Sequence, residues 1–590
     1  MTLAAGLAAA IPVITATVKA VQAGWVPLAD RGIIATRAHD VLTSHPPLVG
    51  QYTLAGEVTG KVTHSLGPML FWLLAIPAHD GSTVGMTITM GTLNTLCIVG
   101  CVALARRRGG RVLMVATACA IALMCQSLAA ETFHDVWNPS AGLWPFTLTI
   151  FLCWSVACGE YKLLPLTVVV ASFTVQTHLT YLPPTLALLA VGLGGLTAGW
   201  VARRRRKAPG LRRLAKVGWV IATLLAAALC WSATVEGQLT EHPGNLTLVA
   251  EAATKHKATL GGEVGWHAVV HAVGITPWWL QTPKSRWQRK YEVRSTPTAL
   301  ARRSTLAALA ALVLVALVGA LRRRRDVATL ALTALVLCPA LAAVAAATPT
   351  PPLLSATLGY TMWWGSQVGM VVWLTLAWAA WLALAWSVRG LARGVRRHRT
   401  SAPPSRPASV PLNPTASTPP DHPTSRPPSP PRTPPNRLAG TLAAGGSVAL
   451  TILGIAATAA VGKTVAANGK PDEHAPLYRP VKAIDARIAQ EVPRGGTVLL
   501  EGRLDGATEP VKPAVRYDLV ARGTRVLAPG SALRLGTWYE LYNRPYREAI
   551  YLGDVPRPPV KHVKLVAQAS FREGTTVNTV YVWVARRPGR

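Results

Sequence analysis

The stretch ETFHDVWNPSAGLWPF, residues 131–146, sets Glu131, His134, Asp135 and Asn138 beside Trp137 and Trp144 in an otherwise apolar chain. Two carboxylates, an imidazole and an amide in one short loop are groups that take up a proton and hold hydroxyls. A further acid, Asp30, stands in GWVPLADRGIIATRAHDV ahead of Arg31 and Arg37. By spacing, Asp30 caps the helix that follows it, aspartate being a favoured N-cap. At a membrane surface, where partial desolvation raises a carboxyl pKa, the same residue is also a general base. Arg31 and Arg37 have the charge to hold a phosphate. His64, with Asp40 and Glu57, belongs to the same long loop, and QTHLTY adds Gln176 and His178. Asn138-Pro139 reads as a helix start, Asn capping and Pro in the first turn. Trp137 and Trp144 read most simply as interfacial belt residues.

The elements that must position these groups are membrane helices. The chain has 590 residues, 50% of them hydrophobic, and a mean hydropathy of +0.31. Apolar blocks at about 3–23, 84–105, 112–131, 141–158, 162–176, 181–201, 215–233, 304–321, 327–347, 361–388 and 439–462 suit crossings of roughly 18 or more residues, the shorter ones only just. GPMLFWLLAIPA, 67–78, is too short to cross and is expected to lie in the plane, as is an amphipathic helix carrying Ile33, Ile34, Arg37 and Val41. The net charge of +34 would suggest nucleic acid in a soluble protein. Here the basic runs Arg106–Arg108, Arg203–Lys207, Arg322–Arg325 and Arg393–Arg399 each abut an apolar block, so they are topology signals and nucleic-acid binding is excluded.

With every basic run cytoplasmic, the spans alternate without violation. The first outer loop, the 131–138 loop, QTHLTY and the loop at 234–303 then face outward together. The expected domains are a transmembrane domain over 1–394, a Pro-rich disordered cytoplasmic linker over 395–438, and a last span at 439–462. A small extracytoplasmic α/β domain over 467–590 completes the chain. In that tail VKAIDARIAQEV (481–492) reads as helix, and TVLLEG (497–502) and VNTVYVWVA (577–585) read as strands. GKT at 462–464 fails as a phosphate loop, because Ala457 stands where the motif needs glycine. The fold class is thus an α-helical polytopic membrane protein of about eleven spans with a small C-terminal α/β domain, sited in the plasma membrane with a cytoplasmic N-terminus.

An acid just after the first span, then PLVGQYT…H…GPMLFWLLAIP, VWNPSAGLWPF and SFTVQTHLTYLPP, resembles the actinobacterial polytopic members of the GT-C glycosyltransferase superfamily. These include protein mannosyltransferases, aminoarabinose transferases and arabinofuranosyltransferases. The resemblance covers roughly residues 20–390. It implies a multi-helix fold with in-plane helices in the first outer loop, an acidic catalytic residue there matching Asp30, and a polyprenyl-phosphate sugar donor. Relatives of this type read Asn-His-Pro-Gly-Pro where this chain has THSLGP around His64, so the match departs there.

These readings together lead to transfer of a sugar from a polyprenyl-phosphate carrier to an extracytoplasmic glycan, lipid or protein. Asp30 would be the base and Asp135 the second acid. Arg31, Arg37, His64, His134, Asn138, Gln176 and His178 would bind substrate among membrane lipids. No cofactor is required, though a divalent cation would suit the phosphate. Two other readings stand beside this one, a transporter or flippase of a lipid-linked solute and an inactive scaffold of the same fold. Span interiors nearly free of charge argue against a conduction path.

Overall fold

Hydrocarbon offers no water to satisfy backbone N–H and C=O groups, so long apolar blocks close those bonds within helices. The computed structural model, which describes residues 1–205, 213–285, 287–400, 437–529, 537–540, 545–558 and 560–586, follows that rule. Helices α1 (Thr2–Ala9) and α2 (Ile11–Ala23) meet at a 54° bend. After them come α3 (Asp30–Asp40), a hairpin of β1 (Tyr52–Thr53) and β2 (Thr63–His64), and α4 (Met69–His79). The 11 residues of α4 are too few to cross a membrane, as expected. α3 does not lie open on a lipid surface. It packs between α4 on one side and a helix of the C-terminal domain on the other.

α5 (Thr83–Met124) runs through two of the expected spans as one 42-residue stretch. A straight helix of that length would be about 63 Å long, twice the roughly 30 Å hydrocarbon core. Gly110, at φ 69° and ψ −156°, breaks it beside the arginines, in a conformation that glycine alone adopts cheaply. α6 (Asn138–Ala141) and α7 (Leu143–Ala157) follow. α7 is apolar on every side and buried along its whole length, with Trp144, Phe146, Phe151 and Trp154 nearly sealed from solvent. A helix without a polar face belongs in the middle of a bundle, and α5, α8 (Leu164–Thr177) and α9 (Leu182–Arg205) surround it. α8, expected to span, has only 14 residues, short of the roughly 20 a crossing needs.

Beyond these, α10 (Arg213–Thr240), α11 (Asn245–Thr254), α12 (Gly261–Val273), the short α13 (Gln288–Glu292), α14 (Ala299–Leu321) and α15 (Arg325–Ala346) continue the bundle. α16 (Pro352–Ser355), α17 (Leu358–Thr361), α18 (Gly365–Thr400) and α19 (Arg437–Asn468) complete it. Among the described residues eight helices are long and apolar enough to cross a membrane, nine if the bent α1–α2 pair is one span. The expected eleven exceed nine because α5, which joins two expected spans across the break at Gly110, counts once, and because α8 is short. The chain is a multi-pass membrane protein. Residues 401–436, most of the expected linker, lie outside the described residues. Two compact units arise, residues 1–376 with 454–590, and residues 377–453, the latter holding the end of α18 and the start of α19.

The C-terminal α/β domain belongs to the first unit. α20 (Ala475–Glu491) leads into β3 (Thr497–Arg503), and α21 (Val511–Ala521) crosses over to β4 (Arg525–Leu527). β5 (Glu548–Gly553) then pairs with β3 from the other side, followed by the hairpin β6 (Lys564–Glu573) and β7 (Thr576–Arg586). The sheet order is β4-β3-β5-β7-β6, parallel across β4-β3-β5 and antiparallel beyond. A parallel neighbour requires a crossover, which α21 supplies. One sheet face, with Leu500, Ile550 and Val582 fully buried, alternates with a more open one, as the period of two demands.

Candidate active site

The loop before α6 is fixed by backbone acceptors that its neighbours satisfy. Asn94 Nδ2 donates to Phe133 O at 2.9 Å, and Tyr181 Oη donates to Pro139 O at 2.6 Å. Asn138 does not cap α6. Trp137 holds the cap position, and the buried Asn138 side chain donates to Thr177 O at 3.1 Å, tying the loop to the end of α8. Pro139 does sit in the first turn, as the sequence predicts.

Asp30 is not a cap either. Ala29 occupies that position, no side chain caps α3, and Asp30 is its first residue. Its exposed carboxylate instead accepts from Trp137 Nε1 at 3.1 Å through Oδ2, while Oδ1 accepts no hydrogen bond among the described residues. Trp137 N donates to Asp135 Oδ1 at 3.2 Å. Arg31, next to Asp30, donates through Nε to Asp135 Oδ2 at 2.6 Å, and both side chains are buried. The Arg31 guanidinium also lies 5.1 Å from the Trp137 ring centroid, a cation–π distance. Tyr360 and Trp363 meet the same ring edge-on at 4.9 and 5.8 Å. Trp287 and His178 pack on Tyr360 at 6.0 and 5.9 Å. A free carboxylate oxygen therefore borders an aromatic wall, with a buried ion pair behind it.

The C-terminal domain reaches this place. Ala29 N donates to Pro510 O at 2.9 Å, Tyr517 Oη to Ala78 O at 3.0 Å, and Tyr539 Oη to Asp40 Oδ1 at 2.6 Å. Ala29, at φ +50°, is strained by on the order of 1–3 kcal/mol for a non-glycine residue. Glu509 comes from this domain, and its carboxyl is pushed up, first by partial burial and then by the Asp30 charge. On the other side of the loop, Tyr478 Oη donates to Asp472 Oδ2 at 2.7 Å, and His134 Nε2 pairs with the same oxygen at 3.0 Å. Burial pulls His134 down, but the Asp472 bond and charge, with Asp135 and Glu131, outweigh it, so the imidazole is raised. Burial pushes Asp472 up, and the His134 and Tyr478 contacts bring it below its ordinary value. Arg31 is raised in the same way, Asp135 outweighing burial.

The remaining predicted residues lie in structural settings. Arg37 donates to Asp40 Oδ2 at 3.0 Å. Asp40 is buried among Arg37, His39, His45 and Tyr539, whose contacts hold it below its ordinary value against desolvation. His64 sits in the β1–β2 hairpin, its backbone N–H donating to Asn245 Oδ1 at 2.8 Å and its ring edge-on to Tyr52. Gln176 is buried, donating to Cys230 O at 2.8 Å. His178 accepts from Thr180 N through Nδ1, and burial lowers it to about 4, so it is neutral at pH 7. Among the described residues no group of three or more His, Cys, Asp or Glu side chains is arranged to hold a metal ion.

Asp472, Tyr478 and Glu509 were not read from the sequence. Asp472 meets His134, and Glu509 meets the Asp30 charge, across hundreds of residues, which no local spacing signals, and Tyr478 enters through its bond to Asp472.

No family model matches the chain, and no curated protein does. Among solved structures, the crystal structure of ArnT from Cupriavidus metallidurans bound to undecaprenyl phosphate is similar, with a TM-score of 0.48 and 14% identity. The likeness covers 98% of this chain and 97% of that one.

Proposed function

We propose that the chain is a membrane glycosyltransferase that moves a sugar from a polyprenyl-phosphate donor to an acceptor hydroxyl. The reaction takes place on the membrane face opposite the arginine runs. The observation that carries this reading is the exposed Asp30 carboxylate, one oxygen held by Trp137 and the other free, beside the wall of Trp137, Tyr360 and Trp363. Aromatic side chains with a few placed polar groups are the usual lining of a ligand site. In the reaction Asp30 takes the acceptor proton as that oxygen bonds to the anomeric carbon. The bond from that carbon to the phosphate oxygen breaks, and the phosphate departs with its electron pair. Positioning and one base supply much of the acceleration, the base contributing roughly 10²- to 10⁴-fold.

Arg31 serves this centre indirectly, since its guanidinium is committed to Asp135 and stacked on Trp137. Asp135 orients the Trp137 backbone rather than touching substrate. The experiment is transfer in vitro from lipid-linked sugars by purified protein and its Asp30→Asn variant. Turnover in the wild type that falls about 10²-fold or more in the variant supports the reading, and undiminished turnover in the variant overturns it.

A further inference from the structure

The loop between α12 and α14 carries a charge that the transfer centre does not yet account for. Arg289, in α13, is 4% exposed. Burial lowers its guanidinium to about 10, so it stays charged at neutral pH. No carboxylate bonds to it among the described residues, and Glu292, one turn on, acts on it only through space. Its partners are dipoles instead. Arg289 Nη1 donates to Met362 O at 2.7 Å and to Trp363 O at 2.5 Å. Arg289 Nη2 donates to Ser366 Oγ at 2.6 Å and to Ser127 O at 3.1 Å. Ser127 Oγ and Ser366 Oγ lie 2.8 Å apart, which closes the ring of contacts. The Trp278 ring stands 5.0 Å from the guanidinium, a cation–π distance.

Two of these acceptors belong to a break. α17 ends at Thr361 and α18 begins at Gly365, inside one stretch, Pro352–Arg389, that is long and apolar enough to span. There Gly365 N donates to Met362 O at 3.0 Å and Ser366 N to Trp363 O at 3.2 Å. These tight turns replace the regular helical ladder. Backbone at membrane depth departs from helix only where protein satisfies it, and Arg289 does so here. The break carries the aromatic wall, since Tyr360 and Trp363 both meet Trp137 edge-on. A neutral side chain in place of Arg289 would avoid desolvating a charge. It would lack the planar fork that reaches acceptors on two separate elements at once. Those elements are the break before α18 and the turn after α5 that leads into the loop of Asp135 and Trp137. The same loop sets Trp287 on Tyr360 and against Gly359, where a Cβ would strike the indole.

We infer that Arg289 is a positioning residue of the transfer centre, clamping the Met362–Trp364 break to the Ser127 turn and so holding Tyr360 and Trp363 against Trp137. This role rests on the transfer reading. Arg289 touches no reacting atom. It acts through the wall on Trp137, and through Trp137 on the direction of the Asp30 carboxylate.

The test is transfer from lipid-linked sugars by the purified full chain, in the wild-type and Trp137→Phe backgrounds. Arg289→Gln should lower kcat roughly ten- to hundredfold with little change in donor KM. Arg289→Lys keeps the charge and can still reach the carbonyls of the break, so it should restore most of that loss. In Trp137→Phe the aim of the carboxylate is already gone, and Arg289→Gln should cost about twofold at most there. An arginine that served stability alone would lower the folded fraction, and with it the rate, by the same factor in both backgrounds. Ser366→Ala takes one partner from the guanidinium and should show the same coupling at smaller size, so the test holds even if Arg289→Gln does not fold. Equal factors in the two backgrounds, or full rate in folded Arg289→Gln, overturn this role and leave the transfer reading standing. Absence of transfer by the wild type overturns both together.

Discussion

Trp137 Nε1 donates to Asp30 Oδ2 at 3.1 Å, joining residues 107 positions apart in the chain. Because the Trp137 backbone also donates to Asp135, one residue sets the direction of the exposed carboxylate and anchors it to the buried Arg31–Asp135 pair. Trp137→Phe keeps an aromatic ring and deletes that N–H. A hydrogen bond to a charged group contributes about 1.5–3 kcal/mol, so kcat should fall roughly ten- to hundredfold, with little change in donor KM. In Asp30→Asn the oriented base is already gone. The double variant should then be no slower than Asp30→Asn alone, and independent, multiplying losses in transfer assays would break the link.

The Arg31–Asp135 pair is a stability element whatever the chemistry. Both side chains are buried, at 5% and 1% exposure. Removing one member leaves an uncompensated charge, which costs about 3–5 kcal/mol, whereas an apolar pair of similar volume is often neutral. Arg31→Met and Asp135→Leu should each lower the thermal midpoint markedly, and the double variant should recover much of the loss. A double variant as unstable as the sum of the singles would mean that the two residues are not coupled in this way.

What the sequence made legible, and what it did not, divides along one physical line. Length and apolarity announced the helices, because hydrocarbon allows little else. The arginines after Ala105 marked the break at Gly110, and alternation in VNTVYVWVA marked β7. Local pattern also showed that α3 has a face to cover. It did not say whether lipid or protein covers it, since both are apolar, and α21 is the answer. Asp30 illustrates the same limit. Aspartate ahead of a helix favours a cap from local statistics, and only the fold brings Trp137 to the carboxylate. His134 meets Asp472 across 338 residues, a pairing that no spacing rule encodes.

The His134–Asp472 pair gives docking of the C-terminal domain a pH dependence. His134 is raised above its ordinary 6.5 when folded. Its contribution is therefore fully present below about 6.5 and is lost as pH rises through the higher folded value. Asp472 is held below its ordinary 3.8, so its contribution is present above that value and is lost as pH falls through the lower one. The domain should be held most firmly between about pH 4 and pH 6.5 and should loosen as pH rises through the folded value of His134. Tryptic cleavage after Lys470 should accelerate over that rise in the wild type. In His134→Phe the acceleration should be absent, and an identical pH profile in the variant would assign the titration elsewhere.

At Gly32 the backbones of α3 and α21 approach closely. A Cβ there would stand 2.5 Å from Pro513 C, 2.6 Å from Pro513 O and 2.8 Å from Pro27 O, all backbone atoms with no rotamer to yield. Gly32→Ala must push α21 outward or shift the strained Ala29 turn, an overpacking that costs about 1–3 kcal/mol. The Ala29 N–H to Pro510 O bond lies beside it, so the same push should move Glu509 and Asp30 relative to each other. The expected result is a lower thermal midpoint together with faster hydrogen exchange confined to α3 and α21. Gly262→Ala is the control, because nothing lies within 4 Å of a Cβ at that position in α12, and it should change neither readout. If Gly32→Ala matches the control, the C-terminal domain does not bear on the Asp30 loop as tightly as this contact requires.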